Sequence, residues 1–256
     1  MKTEILYGIH PVYEALRAGR REVFDIYLGQ ERPSGRLAGL LALAESIPLP
    51  VHRVKPEKLS AMAGADTHQG IGIRVGPLPL VDIEMLLGRS SRPLVILLDG
   101  VIDPQNFGAV VRTALCAGAD GMIVAKDRAA PLSPAAAKAS AGGLEHLPLA
   151  RVTNLVSTMA ALKTAGLWIT GLDRAAVSSV YETDLAGAVG IVIGSEHKGI
   201  RPLVRKHCDT LAAIPQYGPL DSLNASVAAG VVIYEAVRQR RAAGVAPVDP
   251  PKGKGA

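Results

Sequence analysis

Apolar and polar positions alternate between strand-like and helix-like spacing along the first 75 residues. Short β-branched and aromatic runs predict strands, and Leu/Ala-rich stretches predict helices. The predicted strands are Val23–Leu28, Val51–Val54 and Gly70–Val75, and the predicted helices are Pro11–Gly19, Arg36–Glu45 and Pro56–Met62. Gly76–Pro79 contains two prolines and cannot continue a strand, so a domain boundary is expected there. The first region is therefore predicted to be a small α/β domain.

From residue 81 onward the apolar runs are continuous rather than alternating. The strand-length runs are Leu94–Leu98, Met122–Val124, Leu167–Thr170, Val189–Ile193 and Thr210–Ile214. Strands that are apolar at every position are typical of a parallel sheet covered by helices on both faces. The helices predicted to cover it are Phe107–Ala117, Pro134–Ala141, Leu155–Ala165, Pro202–Lys206 and Ser222–Arg241. We therefore predict a three-layered α/β domain in this region.

Composition places the 256-residue chain among globular proteins, with 48% hydrophobic and 20% charged residues. Its net charge of +5 comes from the two ends, which weakly favours a nucleic-acid partner. Cys116 and Cys208 are too few for a disulfide scaffold or a four-cysteine zinc site, and both are expected to be buried, reduced thiols. No apolar run approaches the roughly 20 residues that cross a bilayer, and the N-terminus has no signal-peptide pattern. A cytoplasmic protein with no membrane partner and no metal is expected.

Candidate chemistry lies in three loops that follow predicted strands and are rich in glycine and uncharged polar residues. They are residues 97–118, 191–202 and 214–240. Ligands of open α/β sheets bind outside the carboxyl ends of the strands. None of these loops ends in the Lys-Ser/Thr of a phosphate-binding P-loop, and no strand leads into GxGxxG. Taken singly, the polar residues also fit structural roles: Asp103 and Asp221 as helix N-caps, Glu196 as a solvated acid and Arg112 as an exposed helix residue.

Taken together, the three loops resemble the three motifs of the SpoU-type 2′-O-ribose RNA methyltransferases of the SPOUT superfamily. The matching residues are Asp103, Pro104, Asn106, Gly108, Arg112, Thr113 and Ala114; Gly194, Glu196 and Gly199; and Ile214, Pro215, Ser222, Leu223, Asn224, Ser226 and Ala228. The segments YGIHPVYEAL (7–16) and HQG (68–70) resemble the subgroup of bacterial 23S rRNA guanosine-2′-O-methyltransferases, so the similarity covers residues 5–241. His197 departs from the pattern, because many family members have glycine there.

The resemblance implies a fold and domain boundaries. Residues 1–76 would form an L30e-like α/β domain that binds the RNA substrate, residues 77–92 a linker and first helix, and residues 93–241 a SPOUT methyltransferase domain. The Pro- and Gly-rich residues 242–256 are expected to be a disordered tail. SPOUT domains are parallel α/β sheets whose C-terminal segment threads a trefoil knot, and they bind S-adenosylmethionine at a homodimer interface. Periodicity alone does not predict a knot, because knots are very rare among folds.

The resemblance also implies the site residues. The S-adenosylmethionine pocket would be formed by Gly194, Gly199, Ile214, Ser222, Leu223 and Asn224, and the catalytic residues would be Asn106, Arg112, Glu196, Ser222 and Asn224. Some mechanisms for the family make the arginine at this position the general base, assisted by the substrate phosphate. A guanidinium stays protonated, so we interpret Arg112 as a phosphate and transition-state clamp, with the proton leaving through Asn106, water or the substrate phosphate. RNA contacts are expected from His10, Arg17, Arg20 and Arg21 in the first domain, with Arg74 nearer the boundary.

The expected function is methyl transfer from S-adenosylmethionine to a ribose 2′-OH of RNA, at a guanosine of 23S rRNA. A tRNA or resistance-type rRNA 2′-O-methyltransferase is an open alternative, although tRNA enzymes of this group generally lack the first domain. A non-catalytic RNA-binding or ribosome-assembly factor on the same fold is another, which the complete set of site residues disfavours. Composition alone would also permit a dinucleotide oxidoreductase.

Overall fold

The computed structural model describes residues 3–29, 35–45, 47–196, 198–220 and 222–245. The strands are β1 (Glu4–Tyr7), β2 (Val23–Leu28), β3 (Val51–Arg53), β4 (Ile71–Val75), β5 (Leu94–Asp99), β6 (Gly121–Ala125), β7 (Leu149–Val152), β8 (Trp168–Leu172), β9 (Ser178–Ser179), β10 (Val189–Gly194) and β11 (Thr210–Ala213). The helices are α1 (Ile9–Ala18), α2 (Arg36–Glu45), α3 (Pro56–Ala63), α4 (Ile83–Leu87), α5 (Pro104–Cys116), α6 (Pro134–Ala139), α7 (Leu155–Thr164), α8 (Pro202–Lys206) and α9 (Ala225–Ala242). A 3₁₀ turn covers Gly143–Glu145.

The described residues divide into two compact units. Unit 1 contains the residues up to Pro79 together with Leu132–His146, and unit 2 contains Leu80–Pro131 and the residues from Leu147 onward. The domain boundaries expected from the sequence differ from these units, because the sequence placed residues 132–146 in the second domain whereas the structure places them in unit 1. Helix α9 ends at Ala242, the first residue of the expected tail; residues 246–256, which make up most of that segment, lie outside the described part of the chain.

Unit 1 is built on a four-stranded sheet of order β1-β4-β2-β3. β2 and β3 are parallel, whereas β4 runs antiparallel to both β1 and β2. Leu6, Ile26 and Ile73 of the sheet and Leu59 of α3 have no solvent exposure, so they form the core of this unit. The prediction of a small α/β domain is confirmed, including the strand Val23–Leu28. The four-residue strand β1 was not predicted because it is short.

The segment Leu132–His146 is held in unit 1 by a buried ion pair. Arg21 Nε donates to Glu145 Oε2 at 2.9 Å, and both side chains are fully buried. Arg21 also pairs with Glu4. The prediction that Arg21 contacts RNA is therefore wrong, because its guanidinium is enclosed between two carboxylates of its own chain. Sequence pattern does not reveal this pair, since its partners are separated by more than a hundred residues.

Unit 2 contains a seven-stranded sheet of order β7-β6-β5-β10-β8-β11-β9, and each of its described strand pairs is parallel. β5 and β6 are buried at every position, which confirms the interpretation of continuous apolar runs as strands covered on both faces. The order brings the carboxyl ends of β5 and β10 side by side, with Asp99 opposite Gly194. The loops that follow β5, β10 and β11 carry the three motifs, so parallel topology gathers them at one edge of the sheet.

The two cysteines differ in environment. Cys116 ends α5 and is exposed, so the expectation that both thiols are buried is wrong for this residue. Cys208 is half-buried, and burial raises the pKa of its thiol to about 11. Within the described ranges, no helix is long and apolar enough to span a bilayer, and no His, Cys, Asp and Glu side chains cluster as metal ligands would.

Candidate active site

The first motif positions Asn106 in the first turn of α5. The helix begins at Pro104, a residue that suits this position because it has no N–H to satisfy. The Asp103 carboxylate caps the helix by accepting hydrogen bonds from the backbone N–H groups of Gln105 at 3.3 Å and Asn106 at 3.1 Å. The interpretation of Asp103 as a helix N-cap is confirmed. Because the cap fixes the first turn of α5, it also fixes the backbone position of Asn106.

The second motif forms a tight loop between Gly194 and Gly199. Ser195 and Gly199 exchange two backbone hydrogen bonds of 3.1 and 2.8 Å. Gly199 has a φ of +61°, which favours glycine. At Gly194 a Cβ atom would lie 2.1 Å from the carbonyl carbon of Gly199, so only glycine fits where these two backbone segments meet. The loop therefore depends on both motif glycines; His197, between them, is outside the described residues.

A buried carboxylate that sequence reasoning missed holds the end of this loop. Asp99 is fully buried at the end of β5 and accepts hydrogen bonds from the backbone N–H of Arg201 at 2.8 Å and from its Nε at 2.6 Å. A buried charge persists only when it is paired and hydrogen-bonded. The pair thus ties the residue after the second motif to the strand before the first. The available signal was a single aspartate ending an otherwise apolar run.

The third motif places Asn224 at the N-terminus of α9. Its Oδ1 accepts hydrogen bonds from the backbone N–H of Ser226 at 2.9 Å and of Val227 at 3.3 Å. The helix was predicted to begin at Ser222, but it begins at Ala225, because Asn224 itself is the cap. Asp221, the N-cap considered from the sequence, lies outside the described residues. The amide oxygen of Asn224 therefore accepts the capping hydrogen bonds, and its NH₂ group can donate to other partners.

Asn106, Glu196 and Asn224 form one hydrogen-bonded network. Asn106 Nδ2 donates to Glu196 Oε1 at 2.5 Å, and Asn224 Nδ2 donates to Asn106 Oδ1 at 2.9 Å and also to Glu196 Oε1. Each residue comes from a different motif loop, and Glu196 and Asn224 are exposed to solvent. The carboxylate orients both amides, because the NH₂ group of each points toward it. We name these three residues the polar triad.

A cavity of about 720 Å³ opens beside the polar triad and includes Glu196 in its lining. Five of the six residues predicted to bind the cofactor line it: Gly194, Gly199, Ile214, Ser222 and Leu223. Asn224, the sixth, lies at the triad instead. Ile193, Leu172 and Leu211 add apolar walls, and Lys198 and Arg205 add positive charge. Its size falls in the range of about 300–1,000 Å³ that is typical of small-molecule sites.

The remaining predicted residues lie elsewhere. Arg112 is exposed on α5 and has no hydrogen-bond or ion-pair partner within the described ranges. His10 and Arg17 are exposed on α1 of unit 1. Arg20 donates to the carbonyl oxygens of Glu145 at 3.2 Å and Pro79 at 3.3 Å, so part of its hydrogen-bonding capacity is used within unit 1. Their proposed contacts with RNA stay predictions.

Comparisons with known proteins show which families the chain matches. Residues 93–234 match the SpoU rRNA Methylase family, and residues 5–81 match the family described as RNA 2'-O ribose methyltransferase substrate binding. The chain is 41% identical over 242 residues to the 23S rRNA (guanosine-2'-O-)-methyltransferase RlmB of Pseudomonas putida, which covers 93% of this chain and 97% of that protein.

Two solved structures extend the similarity to three dimensions. An RNA 2'-O ribose methyltransferase superposes with a TM-score of 0.81 at 26% identity, covering 93% of this chain and 89% of its own. The SpoU methyltransferase AviRb from Streptomyces viridochromogenes, in complex with the cofactor AdoMet, superposes with a TM-score of 0.79 at 28% identity, covering 93% and 90%. By its motifs, its fold and these matches, the chain belongs to the SpoU family of rRNA methylases.

Proposed function

We propose that this protein transfers a methyl group from S-adenosylmethionine to the 2′-hydroxyl of a guanosine in 23S rRNA. The observation that carries the proposal is the polar triad, assembled from three separate loops beside a cavity that the predicted cofactor residues line. A protein that only binds RNA has no need of this convergence. The relative from P. putida and the match of residues 5–81 to a substrate-binding family support rRNA as the acceptor.

The cavity residues fit S-adenosylmethionine. Apolar side chains of Ile193, Ile214 and Leu223 suit the faces of an adenine ring, and Gly194 and Gly199 line the cavity without side chains, so a ligand can approach the backbone closely there. No phosphate-binding loop is required, because the cofactor has no phosphate. When bound, S-adenosylmethionine supplies an electrophilic methyl carbon on a cationic sulfur.

The polar triad is suited to hold the acceptor hydroxyl. Asn224 Nδ2 uses both of its hydrogens within the triad, whereas Asn106 Nδ2 uses one and retains a second for a substrate oxygen. Glu196 Oε2 remains as an acceptor. One donor and one acceptor are what a ribose hydroxyl requires for a fixed orientation, and positioning of this kind is a large part of catalysis for an in-line displacement. Arg112, always charged and exposed, would bind a phosphate of the RNA.

We also propose that the protein is a homodimer whose interface includes α9. Val227 and Tyr234 are each 51% exposed and lie seven residues apart, which places them on one face of α9. Ile102 is 66% exposed and Tyr217 is 97% exposed in the loops that carry the motifs. Exposed apolar side chains that share one face of a helix are typical of an interaction surface. Light scattering should show a dimer for the wild type and a monomer for Val227→Glu. A Val227→Glu variant that is still a dimer would contradict the proposed interface.

Three further assignments belong to the same proposal. The trefoil knot of the C-terminal segment is proposed from the match of residues 93–234 to the SpoU family. The sheet and helices of unit 1 support an L30e-like substrate-binding domain. Cytoplasmic localisation is proposed because the relative from P. putida acts on rRNA.

The test is methyl transfer from labelled S-adenosylmethionine to undermethylated 23S rRNA and, in parallel, to unmodified tRNA. The proposal predicts label in 23S rRNA, none in tRNA, and loss of transfer in Asn106→Ala. Label in tRNA alone would favour a tRNA enzyme instead. Binding of rRNA without any transfer would favour a non-catalytic factor.

A further inference from the structure

The sheet of unit 1 carries an aromatic and basic surface that the proposed catalytic role does not use. We name Phe24, Tyr27, His52 and Arg74 the sheet-face patch. In the strand register Tyr27 lies opposite His52, and Asp25 lies opposite Arg74. Side chains of directly opposite residues, and of residues two apart in a strand, share one face of a sheet, so Asp25, Tyr27, His52 and Arg74 lie on the same face. Phe24 lies at a register irregularity of β2 and joins the patch through its contact with Arg74.

A carboxylate organises the patch. Asp25 Oδ1 lies 3.0 Å from His52 Nε2, and Asp25 Oδ2 accepts a hydrogen bond from Arg74 Nε at 2.6 Å. The hydrogen bond with His52 and the Arg74 guanidinium hold the pKa of Asp25 below its usual value, against the effect of burial. The His52 ring stacks on Tyr27 with centroids 5.3 Å apart and an interplanar angle of 24°, and the Arg74 guanidinium lies 5.3 Å from the centre of the Phe24 ring.

The patch is nevertheless open to solvent. The side chains of His52 and Arg74 are 48% and 43% exposed, whereas the Asp25 side chain that holds them is 10% exposed. Every residue of the edge strand β3 is exposed. The ring and the guanidinium are therefore fixed in place without being covered, and this is the condition under which a surface binds a ligand with little loss of side-chain entropy.

The surroundings are positively charged. Lys55 and Lys58 are exposed at the start of α3, and Glu57 is the acidic residue between them. With Arg74 and Asp25 included, three cations stand against two carboxylates. The chain has few aromatic residues, with two Phe, six Tyr and one Trp, yet two of them lie in this patch beside the cations. Aromatic faces interleaved with cations are typical of surfaces that bind single-stranded nucleic acid.

We propose that the sheet-face patch binds a single-stranded segment of the RNA substrate, stacking a base on the His52–Tyr27 pair and pairing Arg74 with a phosphate. The identification of the polyanion as RNA rests on the proposed function. Bases in a duplex are stacked on each other and cannot stack on a protein ring, whereas unpaired bases of loops and bulges are free to do so. Stacking does not distinguish one base from another, so the patch would position the RNA, and the target guanosine would be selected by contacts elsewhere.

The test compares binding of the full-length protein to a labelled 12-nucleotide single-stranded RNA and to a 12-base-pair RNA duplex. His52→Phe keeps a ring but loses the hydrogen bond to Asp25, whereas His52→Gln keeps a donor for Asp25 but loses the ring. Stacking predicts single-strand affinity within about twofold of wild type for His52→Phe and a loss of about fivefold or more for His52→Gln. Duplex binding should not change in either variant.

Arg74→Ala tests the phosphate contact. Its single-strand affinity should fall, and the slope of log K against log salt should decrease by about 0.7, the value for one phosphate contact on a single strand. Arg151→Ala, which removes an exposed arginine of β7 in unit 2, is the matched control and should leave both unchanged. Thermal melting of each variant confirms that it is folded.

The reverse order, with His52→Phe weakened and His52→Gln like wild type, would overturn the proposal and assign His52 a structural role. Equal losses on single strand and duplex would also overturn it, as would unchanged binding in both His52→Gln and Arg74→Ala. Methyl transfer to 23S rRNA provides the separate readout: the patch variants should raise KM and leave kcat at saturating RNA unchanged. A wild type that transfers no methyl group would refute the proposed function without altering the binding comparison.

Discussion

Replacement of Asn224 by aspartate separates helix capping from the polar triad. The Oδ1 of Asn224 caps α9 by accepting from Ser226 and Val227, and its Nδ2 donates to Asn106 and Glu196. Aspartate keeps an oxygen for the cap, but it has no N–H and brings a second carboxylate against Glu196. We therefore expect Asn224→Asp to keep the stability of the wild type and to lose methyl transfer.

The size of the loss follows from the two donated hydrogen bonds. A hydrogen bond between neutral groups contributes about 1 kcal/mol, and one to a charged group about 1.5–3 kcal/mol. Water competes at this exposed site, so we take about 2 kcal/mol for the two together. If that energy positions the acceptor, the rate at saturating cofactor and RNA falls about 30-fold. Asn224→Ala should fall similarly in rate and also lose about 1 kcal/mol of unfolding free energy, because it removes the cap.

The assay is single-turnover methyl transfer combined with urea unfolding. Asn154 provides the matched control, because it caps α7 with the same two bonds, from Val156 N at 3.0 Å and Ser157 N at 3.3 Å, and takes no part in the triad. Asn154→Asp should leave the rate unchanged. Glu196→Gln combined with Asn224→Asp should recover part of the activity, since the glutamine amide restores a donor. An Asn224→Asp rate within threefold of wild type would refute the reasoning.

Three further predictions concern the loop glycine, the thiols and a buried acid. Gly194→Ala should weaken S-adenosylmethionine binding at least tenfold by calorimetry and destabilise the fold by about 2 kcal/mol, because its Cβ would overlap backbone. Gly187→Ala, where nothing lies within 4 Å, should change neither quantity, and equal effects would contradict the packing argument. At pH 8 a thiol reagent should modify Cys116 rapidly and Cys208 slowly, since a pKa of about 11 leaves little thiolate; two fast phases would contradict this. Burial raises the pKa of Asp120 above 3.8, so the folded state retains its proton longer than the unfolded state and stability falls as pH rises from about 4. In urea unfolding measured between pH 4 and 7, the unfolding free energy of Asp120→Asn should therefore fall less with rising pH than that of the wild type. If the two proteins lost the same free energy over this range, Asp120 would not contribute.

Much of the fold is predictable because its strands are defined by local composition. The run Leu94–Leu98 is apolar throughout, and β5 covers it with the addition of Asp99. Helix α8 has the predicted bounds, because Pro202 sets its start. In contrast, β9 consists of two serines and has no apolar signal, so its place in the sheet depends on pairing with β11.

The candidate site was predictable as a set of residues but not as a geometry. The three motifs identify Asn106, Glu196 and Asn224, yet no spacing rule indicates that one carboxylate oxygen accepts from both amides. The Asp99–Arg201 pair escaped because an aspartate after an apolar strand is an ordinary turn signal. Arg21 was wrongly predicted to contact RNA, because arginines that follow a helix are usually exposed to solvent. Its buried partner Glu145 is distant in sequence and could not be inferred from the pattern.

The central claim is that the methyl group is placed on a ribose oxygen. The most direct measurement is the mass of the labelled nucleoside released from 23S rRNA after transfer, combined with its resistance to alkaline hydrolysis at the modified linkage. The account predicts 2′-O-methylguanosine and an alkali-resistant dinucleotide, both absent with Asn106→Ala. A methyl group on the base, with the neighbouring phosphodiester still cleaved by alkali, would contradict it.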